Sequence, residues 1–209
     1  NHLDLVAPDG QPVRWALQWT GGPSLPDKVR GPELFLRVCQ MASEEQLPVY
    51  FYGSTHDVLD GLRVNLLTRY PDLVIAGMEP SRFGPTSAQE QLEIASRIRD
   101  SGACITFVGL GCPRQEVFAF EYRDLLDMPV LAVGAAFDFH AGTLKEAPPW
   151  VGRWGVEWLH RLAQEPGRLW HRYTVVSARY LTHVIRQRLG LRDFDPARLP
   201  AAPEPIRYG

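Results

Sequence analysis

Four short apolar runs, Pro48–Tyr52, Leu73–Ala76, Ile105–Val108 and Val130–Val133, recur along the chain at about 25–30 residues. Helix-like stretches fill the gaps: about Pro32 to Gln46 ahead of the first run, then up to about Tyr70, Thr86–Asp100 and Pro113–Leu126. Strands alternating with helices at this spacing predict a mostly parallel sheet flanked by helices, an α/β fold of the Rossmann-like kind. Right-handed crossovers then place the loops after Tyr52, Val108 and Val133 along one edge, at the carboxyl ends of the strands. Thr86 or Ser87 is the expected cap of the helix that begins there. Earlier in the chain, Leu3–Ala7 reads as a short strand ending in a Pro8-Asp9-Gly10 turn, and Pro12–Trp19 has weak helical character.

The three loops on that edge carry the chemistry. Gly53-Ser54-Thr55 follows the first strand. The stretch I-T-F-V-G-L-G-C-P-R-Q-E (105–116) places Gly109 and Gly111 at a strand end, then opens a helix with Pro113, Arg114, Gln115 and Glu116. Small residues let a ligand approach the backbone, and the free N–H groups of a helix start favour anions. Gly134–Asp138 forms the third loop, in which Asp138 either caps the next helix or holds a ligand hydroxyl. G-x-G-x-x-R is a poor match to a dinucleotide fingerprint, because Arg114 stands where a third glycine belongs and the element is late in the sheet. Asp9 suits a structural turn or, at a loop mouth, a general base. Cys112 sits near a helix start, where it serves best as a small turn residue.

Composition removes several classes. Hydrophobic content of 45% and charged content of 22% suit a globular protein, and no apolar run is long enough to span a bilayer. Three cysteines without a C-x-x-C, and six scattered histidines, argue against a disulfide framework and against a metal centre. The net charge of −2 hides an asymmetry: residues 1–144 hold 11 Lys/Arg against 18 Asp/Glu, residues 145–192 hold 9 against 3. The basic segment also carries Trp150, Trp154, Trp158 and Trp170, with helices expected over about 150–164 and 167–189, hinged at Glu165-Pro166-Gly167. On a wheel of about 100° per residue Arg168, Arg172, Arg179 and Arg186 share one stripe, beside an apolar stripe of Leu169, Tyr173, Val176, Tyr180 and Val184. Such a helix is a membrane-surface candidate. The expected division is a catalytic α/β domain over 1–147, a helical appendage over 148–192 and an irregular tail over 193–209. A strand beginning so near Asn1 suggests that a natural N-terminal segment precedes this chain.

Taken in order, A-P-D-G-Q-P-V, V-R-G-P-E-L, V-Y-F-Y-G-S-T, V-G-L-G-C-P-R-Q-E, A-V-G-A-A-F-D-F-H-A-G-T-L-K-E-A-P-P-W and G-V-E-W-L-H-R-L-A-Q-E-P-G-R-L-W-H-R-Y resemble the WecG/TagA/CpsF glycosyltransferases, family 26, over about residues 3–188. The resemblance implies an inverting enzyme, peripheral on the inner face of the bacterial membrane, that moves a sugar from UDP onto an undecaprenyl-diphosphate-linked sugar. It implies no cofactor, divalent metal or nucleic acid. Asp9 matches the family's proposed general base, and Gln115 and Glu116 its donor-side polar pair. Gly53, Ser54, Gly109, Gly111, Pro113, Arg114 and Asp138 are the further donor-side candidates. Arg161, Arg168 and Arg172 match, or in the last case neighbour, appendage arginines facing the acceptor diphosphate. Lys28 departs from the family's usual arginine and loses its bidentate fork, so Arg30 is an alternative contact. The family's upstream Thr/Pro/Asn motif has no counterpart after Asn1. A nucleotide-dependent oxidoreductase and a lipid-binding adaptor are the rival readings. Donor sugar and oligomeric state, a homo-oligomer included, stay open.

Overall fold

The computed structural model describes residues 3–8, 11–22, 29–82, 84, 86–145, 157–164 and 166–191. The chain divides into two compact units, one of residues 1–7 and 30–145, the other of residues 8–29 and 146–209.

The first unit holds the sheet. Its elements run α2 (Gly31–Glu44), β1 (Val49–Gly53), α3 (His56–Arg69), β2 (Ile75–Glu79), α4 (Ala88–Asp100), β3 (Ile105–Gly109), α5 (Arg114–Tyr122), β4 (Val130–Ala132) and α6 (Ala136–Ala141). All strand pairs are parallel, in the order β2-β1-β3-β4. Each side chain of a sheet covered on both faces must be buried, which is why V-Y-F-Y reads as a continuous apolar run. Val49 and Phe51 enter the core beneath α2, α3 and α6, with Phe35, Cys39, Leu62, Leu66 and Phe137. Tyr50 and Tyr52 point to the opposite face, beneath α4 and α5, with Ile94, Ile98, Phe118 and Tyr122. α4 opens on a capping box: the Glu90 N–H donates to the Ser87 hydroxyl at 3.2 Å and the Ser87 N–H to the Glu90 carboxylate at 2.8 Å.

The parallel sheet agrees with expectation, and three details do not. Leu3–Ala7 forms no strand; Leu3 is half-buried but Leu5, at 85%, and Ala7 are exposed, so the apolar alternation there makes no buried face. β2 begins two residues later than expected and continues through Gly77 to Glu79. Leu73 instead packs into the core from the preceding turn. Glycine and glutamate are poor strand formers, but Gly77 is needed because the Tyr50 ring lies where its Cβ would be. α5 ends at Tyr122, short of Leu126.

The second unit contains α1 (Gln11–Trp19), which packs against α9 (Ser177–Arg188). Between them in sequence lie α7 (Glu157–Gln164), α8 (Pro166–His171) and a π-helical turn over Arg172–Val176. The stretch expected as one helix over 167–189 is therefore interrupted, and the β-branched run Thr174-Val175-Val176, weak in helix propensity, falls in the interruption. Residues 146–156 and the tail from 192 lie outside the described residues. No helix among those described is long and apolar enough to cross a membrane.

Burial, the Glu79 charge and its hydrogen bond raise the Tyr50 hydroxyl to about 12, and burial and the same charge raise Tyr52 to about 12. Between their ordinary value of 10.0 and about 12, the unfolded chain releases protons that the folded chain keeps. The contribution of both tyrosines to stability is complete below that window and is lost as pH rises through it. Denaturation midpoints measured across the window should fall more steeply for the native chain than for a Tyr50→Phe/Tyr52→Phe variant.

Candidate active site

β1 and β3 are adjacent, but the chain leaves β1 toward β2 and leaves β3 toward β4, on opposite sides. Between their carboxyl ends lies the switch point at which open parallel sheets bind ligands. Gly53 and Gly109 are register partners at this place. A Cβ on Gly53 would lie 2.7 Å from the Gly109 carbonyl oxygen, and Gly53 has φ +119°, so only glycine fits without a backbone shift. Ser54, 8% exposed, follows at φ 60°, an unusual conformation for serine, and its carbonyl accepts from the Ser81 N–H at 3.2 Å. Thr55 caps α3, its hydroxyl accepting from the Val58 N–H at 3.4 Å.

The second loop, Gly109 to Pro113, turns through Gly111 at φ +77° and a cis Cys112–Pro113 peptide. Pro113 is the residue at the cap of α5, whose helical hydrogen bonding starts with the Gln115 N–H donating to the Gly111 carbonyl at 3.0 Å. Gln115 Nε2 donates to Glu116 Oε1 at 3.0 Å. Gln115 Oε1 and Glu116 Oε2 are buried and accept no hydrogen bond from the described residues. A pair of buried, unsatisfied acceptors side by side is uncommon in a folded protein and suits a ligand that supplies N–H or O–H donors.

The third loop closes against the second. The Val133 N–H donates to the Val108 carbonyl at 3.0 Å, tying the end of β4 to β3. Gly134, at φ +56°, backs the Gln115 carboxamide so closely that a Cβ would lie 3.0 Å from Oε1. Asp138 falls in the first turn of α6 rather than at its cap, which is Ala135. Its carbonyl accepts from the Thr143 and Leu144 N–H groups at 3.1 Å each, fastening the chain beyond the helix.

The structure therefore brings Gly53, Ser54, Gly109, Gly111, Pro113, Arg114, Gln115, Glu116 and Asp138 to the carboxyl edge of one sheet. Asp9 and Lys28 lie outside the described residues. Arg161, Arg168 and Arg172 belong to helical segments of the other unit, with side chains that are not described. Arg30, the alternative cation, donates to Glu33 Oε1 at 3.0 Å.

The sequence reading missed a support behind the switch point. Arg97 grips Glu79 through Nε and a terminal nitrogen, at 3.0 and 2.7 Å, while the Tyr50 hydroxyl donates to the same carboxylate at 3.1 Å. Glu79 ends β2, two residues before Ser81 meets Ser54. No spacing motif announces this three-residue clamp; the tyrosines in V-Y-F-Y were its one visible sign. Among the described residues no group of His, Cys, Asp and Glu is placed to hold a metal ion.

Glycine-lined strand ends, a helix start and acceptors left unsatisfied by the described residues at a switch point define a doubly wound α/β protein with a candidate ligand site at the carboxyl edge of its sheet. The family model described as "Glycosyl transferase WecG/TagA/CpsF family" matches residues 1–194, and the chain belongs to this family of glycosyltransferases. A protein of Bacillus subtilis (strain 168), an N-acetylglucosaminyldiphosphoundecaprenol N-acetyl-beta-D-mannosaminyltransferase, is 28% identical over 194 residues, 92% of this chain and 73% of its own. A protein of Bacillus spizizenii with the same description is 31% identical over 184 residues, 88% of this chain and 68% of its own. Membership displaces both the oxidoreductase and the adaptor readings.

Gly134→Ala forces a side chain into a left-handed position and against Gln115. It should lower stability by about 1–2 kcal/mol, read from the denaturation midpoint.

Proposed function

We propose that the protein transfers a sugar from a UDP-sugar onto an undecaprenyl-diphosphate-linked sugar, with inversion and without a divalent metal, in building a bacterial cell-surface polymer. The observation that carries this is the pair of unsatisfied buried oxygens on Gln115 and Glu116 at the switch point of a family glycosyltransferase. Both relatives are described as N-acetylmannosaminyltransferases acting on N-acetylglucosaminyldiphosphoundecaprenol, which supports N-acetylmannosamine as the donor sugar ahead of its uronic acid or glucose.

The donor's hydroxyl or imide N–H groups supply the hydrogen bonds that Gln115 Oε1 and Glu116 Oε2 lack. Its diphosphate is met by backbone N–H groups of the turns at Gly53–Thr55 or Gly109–Pro113, close to the starts of α3 and α5. Asp9 removes the proton from an acceptor hydroxyl as that oxygen bonds to the anomeric carbon on the face opposite UDP. The bond to the UDP oxygen breaks, and the electron pair leaves with UDP. Lys28 and the preorganised N–H donors stabilise that developing charge. Arg161, Arg168 and Arg172 serve the acceptor diphosphate at the membrane's inner face.

Asp9→Asn should reduce transfer by about 100-fold or more while thermal stabilisation by UDP persists. Transfer within about threefold of the native rate would remove Asp9 from the general-base role. UDP-N-acetylmannosamine should raise the melting temperature more than UDP-glucose does, and Gln115→Ala should erase most of that rise. Activity unchanged in excess EDTA is the expected result for a metal-independent reaction; its loss, restored by a divalent cation, would overturn that part.

A further inference from the structure

α1 is short, and its two faces are unequal in an unexpected way. Ala16 is buried and Val13 and Leu17 are half-buried, so this face supplies the helix's packing within the second unit. Trp15 and Trp19, one turn apart, are 43% and 50% exposed on the outward side, with Gln18 exposed between them. Gln11 to Gly22 contains one charged residue, Arg14, and no carboxylate. A solvated helix face of this length ordinarily carries charge; this one carries two indoles.

The surroundings point to the occupant. α1 packs against α9, and residues 8–29 cluster with 146–209, so α1 belongs to the unit that carries the basic segment. That unit also exposes Trp170, Leu159, Val175, Val176, Ile185 and Leu189. Its residues 146–192 hold 8 Lys/Arg against 3 Asp/Glu. Indole rings prefer the headgroup level of a bilayer, where the ring is shielded and the N–H still finds a partner. Clustered arginines supply the complement to anionic headgroups. Exposed indoles also suit a protein interface; the basic segment in the same unit, complementary to anionic headgroups, favours the lipid surface.

We propose that Trp15 and Trp19 seat in the headgroup boundary of an anionic membrane. α1, drawn from the N-terminal part of the chain, is then a second lipid contact beside the C-terminal helices. This rests on the membrane-surface part of the function proposed above and adds a contact that the basic stripe alone does not contain.

The test uses the full chain and flotation with vesicles of equal parts phosphatidylglycerol and phosphatidylcholine, beside pure phosphatidylcholine. Trp15→Gln/Trp19→Gln should weaken binding to the anionic vesicles by about tenfold or more, the apolar contribution of two half-exposed indoles. Trp15→Phe/Trp19→Phe should retain most of the binding, and UDP stabilisation should be unchanged in both. If the native chain floats and the glutamine variant floats equally, α1 has no lipid role, while the transferase reading stands. If neither floats, the membrane contact is wrong for α1 and the C-terminal helices alike. A glutamine variant that breaks an oligomer on gel filtration but floats like the native chain would assign the face to a second copy and overturn the proposal.

Discussion

Phe137 lies against the last residue of β3 so closely that a Cβ on Gly109 would fall 2.5 Å from its Cδ2 atom. Phe137 is also one of four phenylalanines packed around Phe35 and Phe51; Phe35 meets Phe51, Phe107 and Phe137 at centroid distances of 5.9, 4.9 and 5.8 Å. Rings held in such a group cannot shift one at a time, because protein interiors are close-packed. α6 is thereby held at a fixed distance from β3, and the strand end must be glycine. Gly53 is required separately, by its φ of +119° and by the Gly109 backbone beside it. One half of the floor of the candidate site, Gly109, is thus a consequence of the aromatic core, and the other of strand pairing. His140 extends that core outward, stacking on Phe35 at 5.3 Å and placing Nε2 2.9 Å from the Pro32 carbonyl, at the start of α2.

The opposite face holds the site by polar means. Arg97 and Glu79 are partly exposed, and a simple surface pair of this kind contributes little. Here the carboxylate has three hydrogen bonds, one from a tyrosine rooted in the core, so its position is set from two directions. The guanidinium is pushed above its ordinary value, chiefly by its hydrogen bond to Glu79. Because Ser81 follows Glu79 by two residues, the clamp carries through to the left-handed turn at Ser54. Tyr52 stacks on Phe118 at 4.9 Å and Phe118 on Tyr122 at 3.7 Å, which seats α5 against the sheet just beyond Gln115.

What was legible in the sequence follows from what is local. Strand runs and helix starts are written in nearest-neighbour patterns, so the parallel sheet, the Ser87 cap and the glycine turns could all be read there. β2 was misplaced because Leu73 looks like a strand residue and is a buried turn residue, while Gly77 looks like a breaker and is demanded by Tyr50. Leu3–Ala7 misled for the opposite reason: its alternation is real, but no neighbour pairs with it. The grouping of residues 8–29 with 146–209 depends on contacts far apart in the chain, which periodicity does not encode. The Gln115–Glu116 bond joins neighbours in sequence, but the burial of their other oxygens depends on the fold around them. The motif made both residues visible, and only the fold shows Gly134 behind the Gln115 carboxamide and the remaining oxygens of the pair without donors among the described residues.

Those two oxygens bear on how stability and function trade against each other. A buried acceptor without a donor costs about 1–3 kcal/mol relative to the same group in water. Replacing Gln115 and Glu116 by apolar residues would remove that penalty, yet the bond from Nε2 to Oε1 holds both side chains in the arrangement that keeps the other pair unsatisfied. Here the first turn of α5 and the Gly134 backbone behind the Gln115 carboxamide help to hold that arrangement. On the function proposed above, a ligand bringing two donors would supply the hydrogen bonds these oxygens lack. The site would then be preorganised in the sense that matters for affinity, because these polar atoms are already buried by folding.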